Sequence, residues 1–246
     1  MVLTPDAAKR IGDIYPELKP TTDFTALEGR IRFVASYDPA QDKFFVAGPG
    51  SETLPGERIE GEYGVSIRPF AGEDDEAKML PRLYITEPTI EPLGDRHFSK
   101  GGSACVCGMS EEAGFVARGM EIEEFIERLA VPFLYAQSYY ELHRKWPWGE
   151  YAHNVAGVLE SFHHNGSQES IALTLDGLRI EPAQWERLKA VLIASHPPKG
   201  HMPCVCQRDA DYIRRCHPSA WEGLKRLYQA TRKNPSMSSG LTSSTV

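Results

Sequence analysis

Along the first ninety positions of the chain, residues with β-branched and aromatic side chains gather in short runs. Four such runs occur at 30–35, 43–47, 62–69 and 83–85. Runs of this length that are separated by turn residues are typical of antiparallel strands. A short helix is expected before them, around Ala7 to Tyr15, and it ends at a proline-rich stretch. This order predicts an N-terminal helix followed by a four-stranded antiparallel meander.

The second half of the chain follows a helical period instead. Apolar residues spaced by three and four positions predict helices over 121–146, 149–163, 182–195 and 219–232. We expect 170–179 to form a short strand or a turn. A block of strands followed by a block of helices is typical of the α+β class.

The charge balance and composition exclude several classes of function. The chain has 246 residues, with 27 Lys and Arg against 34 Asp and Glu, which gives a net charge of −7. Such a chain lacks the basic surplus with which a general nucleic-acid binder neutralises phosphates. No window approaches the roughly 18 consecutive apolar residues of a membrane span, and no secretory signal is visible. We therefore expect a cytoplasmic protein that binds neither nucleic acid nor membrane.

The five cysteines are too few for a disulfide scaffold, and their number is odd. In a reducing compartment, clustered cysteines more often bind a metal or react than form disulfides. All five are clustered, as Cys105 with Cys107, and as Cys204 with Cys206 and Cys216. Each cluster is therefore a candidate site.

The second cluster has the composition of a zinc site. Three thiols and one imidazole lie within fourteen positions, at Cys204, Cys206, Cys216 and His217. Zinc prefers four such ligands in a tetrahedron, and a site with four protein ligands leaves no position for a substrate water. We predict a structural Zn²⁺ site here, with His201 as a reserve ligand. Thiols that only pack, without a metal, are the alternative.

The spacing of these ligands resembles the small zinc motif at the end of the SecA translocation ATPase. That motif has Cys-x-Cys, then eight residues, then Cys followed by His or Cys. In this chain the spacer has nine residues, and Gln207-Arg208-Asp209 stands where the motif has Gly-Ser-Gly.

The first pair of cysteines lies in an irregular segment. Thr86 to Gly108 has little periodicity and is rich in Pro, Gly and Ser, and irregular segments of this length are often functional. Backbone N–H groups in such a loop can favour the thiolate, which is the nucleophilic form of cysteine. Cys105 and Cys107 are therefore candidate nucleophiles, and a pair of inert, packed thiols is the alternative.

The order of the elements and several motifs resemble the ubiquitin-conjugating enzymes. Two strands fit that family through Tyr63-x-Val65-x-Ile67-x-Pro69 and Leu80-Pro81-Arg82-Leu83. The active-site segment of the family is matched by His97, Gly102, Ser103 and Cys105.

One further stretch is similar to the bacterial branch of the same family. It consists of Trp146-Pro147-Trp148-Gly149-Glu150 with His153, before a helix that ends in Glu160. Members of that branch belong to antiphage operons, including those that signal through cyclic oligonucleotides. The resemblance covers about residues 1 to 165.

The resemblance implies a domain organisation and an activity. A ubiquitin-conjugating-enzyme-like domain is expected at 1–165, a helical module with the zinc site at 166–235, and a disordered tail at 236–246. The enzyme would carry a protein C terminus as a thioester on cysteine and transfer it to an amine or a thiol. The implied protein partner is a cyclic-oligonucleotide synthase. Because the chain shows no glycine-rich phosphate loop, a separate activating enzyme is also expected.

The active-site segment departs from the family at one triplet. Where the family has His-Pro-Asn, this chain has His97-Phe98-Ser99, so the Asn that would support an oxyanion is missing. Developing negative charge requires preplaced donors, and these would be backbone N–H groups or the hydroxyl of Ser99 or Ser103. The resemblance assigns His97 to the organisation of the loop rather than to base catalysis.

The identity of the nucleophile remains open between two residues. Counting from His97 without gaps favours Cys107, whereas matching Gly-Ser-x-Cys favours Cys105. We prefer Cys105, because Ala104 and Val106 fit the apolar neighbours usual in the family.

Two other classes of function compete with this hypothesis. The first is a catalytically inactive scaffold in which the zinc module docks a partner, as the missing Asn suggests. The second is a thiol- or metal-handling protein in which Cys105 and Cys107 join the other cysteines in one site, as the two Cys-Val-Cys triplets suggest.

Overall fold

The computed structural model describes residues 3–47, 53–68, 80–91, 93–99, 101–149, 152, 154–179, 181–206 and 211–233. The predicted tail at 236–246 lies outside these residues, and so do Pro69, Glu150, His153 and the turn at 207–209. Within them the chain is α+β, with an antiparallel sheet and several helices, which confirms the predicted class.

The chain divides into two compact units. Unit 1 contains Met1–Cys107 and Arg118–Glu150, and unit 2 contains Gly108–Ala117 and Tyr151–Val246. This division lies near residue 150 rather than at the expected 165, because the helix that precedes residue 165 belongs to the core of unit 2.

Most of the described helices follow the strands along the chain. Strands among the described residues are β1 (Leu18–Pro20), β2 (Leu27–Asp38), β3 (Lys43–Val46), β4 (Glu57–Arg68) and β5 (Arg82–Glu87). Helices among them are α1 (Pro5–Ile14), α2 (Met109–Ala117), α3 (Ile122–Phe125), α4 (Val131–His143), α5 (Asn154–Asn165), α6 (Ile171–Arg179), α7 (Pro182–Ile193), α8 (Ile213–Cys216) and α9 (Pro218–Lys233). A 3₁₀ turn (Gly94–Arg96) follows β5, and a π-helical segment (Ile126–Ala130) joins α3 to α4.

The sheet differs from the predicted meander in the strands that form it. Its antiparallel path is β1-β2-β4-β5, and β3 pairs with β2 beside that path. The two long strands β2 and β4 pair from Leu27 to Tyr37. The other edge of β2 is therefore left for β1 at Leu27–Gly29 and for β3 at Ala35–Asp38. The strand predicted at 43–47 is β3, which lies beside this path. The first strand of the path is β1, which forms where we expected only a proline-rich break after the first helix.

The two faces of the sheet have opposite chemistry. Ile31, Val65 and Leu83 are almost completely buried and form part of the core of unit 1. On the other face, Arg32 forms an ion pair with Glu62 at 2.7 Å, and both side chains are exposed. Exposed pairs of this kind contribute about 0–1 kcal/mol, so burial of the apolar face stabilises the sheet.

Unit 2 has a helical core. It is formed by buried residues of the five helices α5 to α9 and of the loop before α8, among them Leu159, Leu175, Leu188, Val205, Ile213 and Leu224. The prediction of a strand or turn at 170–179 is wrong, since this stretch is α6. Its buried residues Ile171, Leu175 and Leu178 follow a spacing of four and three, which buries one face of a helix.

Two arginines of α9 satisfy carbonyl groups at the ends of other helices. Arg226 donates to the carbonyl oxygen of His163 at 2.8 Å and to that of Gly166. Arg232 donates to the carbonyl oxygen of Ile193 at 3.0 Å. The last carbonyls of a helix have no partner within it, so these contacts tie α5 and α7 to α9. None of the described helices combines the length and the apolar character that crossing a membrane requires.

Candidate thiol site and candidate metal centre

The first pair of cysteines lies on a loop that is tied to β5. We call residues 93–99 and 101–107 the Cys105 loop. Phe98 and Ala104 form an antiparallel bridge, and the N–H of Ser99 donates to the carbonyl of Ser103 at 2.8 Å. The N–H of Ala104 donates to the carbonyl of Leu83 in β5, also at 2.8 Å. The loop is therefore a narrow antiparallel turn beside the sheet, where the sequence predicted only an irregular segment.

Residue 97 holds this turn through its backbone. His97 has a left-handed conformation, with φ of 57°, at the end of the 3₁₀ turn. Its N–H donates to the carbonyl of Gly94 at 2.9 Å, and its carbonyl accepts from the N–H of Cys105 at 2.7 Å. The imidazole packs edge-to-face against the indole of Trp146, with ring centroids 4.8 Å apart. His97 thus contacts the candidate nucleophile by a main-chain hydrogen bond.

The two candidate nucleophiles differ in exposure. Cys105 is exposed and Cys107 is half-buried, and neither forms a disulfide. Ser103 and Ala104, which precede Cys105, are buried. A thiol that reacts with another protein must be accessible, so the exposure of Cys105 agrees with our preference for it without testing its reactivity.

The hydroxyl groups that were expected to replace the missing Asn are engaged with each other. Ser99 Oγ lies 2.8 Å from Ser103 Oγ and accepts from the N–H of Ser103 at 3.2 Å. Among the described residues, the N–H of Val106 has no hydrogen-bond partner. This amide follows Cys105 directly, so a backbone donor is the better candidate for an oxyanion contact.

Helix α4 supports the Cys105 loop by binding Arg96, the residue before His97. The Oε1 atom of Gln137 accepts from Arg96 Nε at 3.1 Å and from its terminal nitrogen at 2.7 Å. The Nε2 atom of Gln137 donates back to the carbonyl of Arg96 at 3.0 Å. Arg96 also pairs with Glu141 at 2.8 Å, and this hydrogen bond lowers the pKa of Glu141. Gln137 is completely buried, so the support is fixed in the core of unit 1.

Sequence reasoning did not find this support. Gln137, Tyr140 and Glu141 lie at i, i+3 and i+4 of α4 and therefore on one face. Polar residues at this spacing in a mostly apolar helix could have indicated that this face of α4 binds a polar group. Their partner Arg96 lies about forty positions away in the sequence, and the spacing gives no indication of it.

The second cluster lies where two short segments meet. Pro203 and Tyr212 form an antiparallel bridge, the N–H of Cys204 donates to the carbonyl of Asp211, and the N–H of Ile213 donates to that of Met202, both at 3.0 Å. This pairing places the thiols of the first segment beside α8 and the residue after it. The structure therefore brings together the four predicted ligands.

The ligand atoms of Cys204, Cys206, Cys216 and His217 all lie within 4.8 Å of one another. Cys204 Sγ is 3.2 Å from His217 Nδ1, and Cys206 Sγ is 3.4 Å from Cys216 Sγ. In a tetrahedral zinc site, bonds of about 2.3 Å to sulfur and about 2.0 Å to nitrogen separate the ligand atoms by about 3.5 to 3.8 Å. The four atoms can therefore reach one metal ion after small side-chain adjustments.

In the absence of a cation, the surroundings of the cluster keep two of its thiols protonated. Burial raises the pKa of Cys204 to about 12. A hydrogen bond with Cys206, followed by burial, raises the pKa of Cys216. A bound divalent cation reverses this preference, because a coordinating thiol is deprotonated outright. The donor set thus fits a metal, whereas the reserve ligand His201 is exposed and is not part of the group.

No protein-family model matches this sequence, and no curated protein or solved structure matches it significantly.

Proposed function

We propose that this chain is a cysteine-dependent, ubiquitin-like conjugating enzyme that carries a protein C terminus on Cys105. One observation carries the proposal. The exposed Cys105 follows a buried residue that is hydrogen-bonded to the last strand of an antiparallel sheet, and its N–H is held by His97. The N-terminal helix and the β1-β2-β4-β5 path support the resemblance to ubiquitin-conjugating enzymes.

The proposed reaction has two steps. In the first, Cys105 Sγ attacks the activated carbonyl of a protein C terminus, a thioester forms, and the activating group leaves. In the second, an amine nitrogen attacks the thioester carbonyl, the C–S bond breaks, and the proton that the nitrogen loses passes to the leaving sulfur, which restores the thiol. The cysteine divides one difficult acyl transfer into two easier ones. A separate activating enzyme supplies the first acyl group.

The proposed partner is a cyclic-oligonucleotide synthase of a bacterial antiphage system. This assignment depends on the resemblance of the segment around Trp146 and Trp148 to the bacterial branch of the family. Both indoles pack within unit 1, where Trp146 contacts His97 and Trp148 contacts Tyr37 and Phe44. The motif therefore organises the site from within the proposed conjugating unit.

The first experiment is intact-protein mass spectrometry of the chain purified from its own cells. We expect an adduct that hydroxylamine removes, that is absent in Cys105→Ala, and that persists in the matched variant Cys107→Ala. Loss in Cys107→Ala alone would move the nucleophile to Cys107. If hydroxylamine-labile adducts and amide conjugates formed in wild type and persisted in the double variant, the proposal would be wrong.

The inactive scaffold is the second candidate function. It is favoured by the mutual hydrogen bond of Ser99 and Ser103, which occupies the hydroxyl groups that were to replace the missing Asn. In a scaffold, Cys105 would react with iodoacetamide no faster than an exposed cysteine in a short peptide, and no adduct would form. The same two measurements thus separate the two candidates.

We also propose that the metal at Cys204, Cys206, Cys216 and His217 is a structural Zn²⁺. Three thiolates and one imidazole are ligands that zinc prefers, and all four positions come from the protein. Metal analysis of the purified chain is expected to give one zinc per chain, which Cys206→Ser removes. The double variant at residues 105 and 107 should retain it. Release of zinc from that double variant would favour the thiol- and metal-handling hypothesis instead.

A further inference from the structure

The contact between Trp146 and His97 joins residues about fifty positions apart in the sequence. Neither side chain lies in the centre of the core, so core packing does not account for the contact. Both are only partly buried. His97 is one of the non-glycine residues with positive φ, a conformation that costs an L-residue about 1–2 kcal/mol. Something must therefore hold His97 in place.

Three of the contacts that His97 makes can favour the left-handed conformation. Two are the backbone hydrogen bonds to Gly94 and from Cys105. The third is the edge-to-face contact of its ring with Trp146, at an interplanar angle of 64°. Of these three, the contact with Trp146 is the one that reaches out of the Cys105 loop, so it links the conformation of the loop to the rest of unit 1.

Trp146 is itself held against α4. Its ring lies 4.6 Å from that of Tyr140, and the guanidinium of Arg96 stacks on the same tyrosine at 4.6 Å. Arg96 is fixed by two hydrogen bonds to the buried Gln137. Consecutive residues of the loop, Arg96 and His97, are thus both anchored on one face of α4.

We infer that Trp146 is a positioning residue for the thiol of Cys105 and acts through His97. The inference rests on the proposed function only in taking Cys105 as the reacting thiol. Without the indole, the left-handed conformation of His97 loses this support from outside the loop. The carbonyl of His97 is then no longer fixed against the N–H of Cys105, and the thiol samples several orientations. A displacement of about 1 Å can reduce a reaction rate by about 100-fold.

The same motif offers a matched control. Trp148 is half-buried like Trp146 and lies two positions away, but it packs against other residues. Its ring lies 5.2 Å from that of Tyr37 and 6.1 Å from that of Phe44, on the sheet, and it stacks on Tyr135 of α4 at 6.1 Å. Replacing Trp148 should destabilise unit 1 without disturbing His97.

The test measures the alkylation of Cys105 by iodoacetamide in the full chain carrying Cys107→Ser. The rate is followed from pH 6 to 10 by mass spectrometry of the peptide that contains Cys105. We expect Trp146→Leu to shift the midpoint of the pH–rate profile towards that of a cysteine in a short peptide, because the N–H of Cys105 is no longer fixed against the carbonyl of His97. Trp148→Leu should leave the midpoint unchanged even if it lowers the melting temperature as much. Trp146→Phe, which keeps an aromatic ring, should restore most of the wild-type profile.

Identical profiles for Trp146→Leu and Trp148→Leu would overturn the inference. If Trp146→Leu fails to fold, Arg96→Lys replaces it. That change keeps the cation but loses the two-point contact with Gln137, so it should shift the midpoint in the same direction, and an unshifted midpoint would again overturn the inference. Failure of the proposed function has a different signature, namely the absence of a hydroxylamine-labile adduct on the wild-type chain, and alkylation rates do not depend on that adduct.

Discussion

A glycine in α9 provides the most direct test of the helical packing that carries the metal centre. Gly223 is buried where α9 crosses α5. A Cβ atom added to it would lie 1.9 Å from the carbonyl oxygen of Leu159 and 2.7 Å from the carbon of the same group. Both atoms belong to the backbone of α5, so no side-chain rotation can relieve the clash. The two helices must separate by more than 1 Å to accommodate Gly223→Ala.

The cost of that separation can be estimated. A gap of about 0.5–1 Å already forfeits a quarter to a half of the dispersion energy between facing atoms, and overpacked cores lose about 1–3 kcal/mol, occasionally more. Alanine gains about 1 kcal/mol over glycine in a helix interior. Because the clash is with backbone atoms, the upper end of the packing cost applies, and we expect Gly223→Ala to lower the free energy of unfolding of unit 2 by about 2 kcal/mol. For a unit of this size, this corresponds to a decrease in melting temperature of roughly 10 °C.

Gly114 in α2 is the matched control, because a Cβ atom added there would meet no heavy atom within 4 Å. Gly114→Ala should stabilise unit 2 by about 0.5–1 kcal/mol through helix propensity alone. Urea unfolding followed by far-ultraviolet circular dichroism measures both variants. If Gly223→Ala were as stable as Gly114→Ala, the close approach of α5 and α9 would be refuted.

Three further predictions concern the metal centre, pH and helix capping. A zinc chelator should accelerate amide hydrogen exchange at Cys204 and Ile213, because their N–H groups join the two ligand-bearing segments. Exchange in the buried part of α9 should not change. Equal acceleration at these two amides and in α9 would contradict a local role of the metal. Burial raises the pKa of Tyr15 from 10.0 to about 12, so the contribution of Tyr15 to the free energy of unfolding should be constant below pH 10 and should fall by up to about 2.7 kcal/mol as the pH approaches 12. In urea titrations at pH 8 to 11.5, Tyr15→Phe should reduce this decline, and an undiminished decline would assign it to other groups. Arg226→Met should lower the melting temperature because it removes charge-assisted hydrogen bonds to the end of α5, worth about 1–3 kcal/mol. The adjacent Lys225→Met removes an exposed ion pair and a cation–π contact with Trp221 but no bond to a helix end, so it should change the melting temperature less. Equal effects would argue against capping.

The sequence by itself determined those features that are encoded within one element or one short segment. The strand and helix patterns predicted the α+β class, because side-chain periodicity reflects which face of an element is buried. The candidate metal ligands could be recognised because all four lie between residues 204 and 217, and a cluster built from one short segment shows its chemistry in its spacing. The same holds for Cys105, whose Gly- and Ser-rich surroundings marked its loop as a candidate site.

Only the tertiary structure decided what depends on contacts between distant segments. The pairing of β2 with β4 displaced β3 to a side position, and a strand pattern does not state which edge a strand will join. The face of α6 that is buried became visible only with the helices around it, since the stretch is short and Ile171, Leu173 and Leu175 alternate as they would in a strand. The support of His97 by Trp146 joins residues about fifty positions apart. Sequence spacing shows the period of a helix or strand, but it does not show which distant residues pack against it. The environment of Cys105 depends on such distant residues.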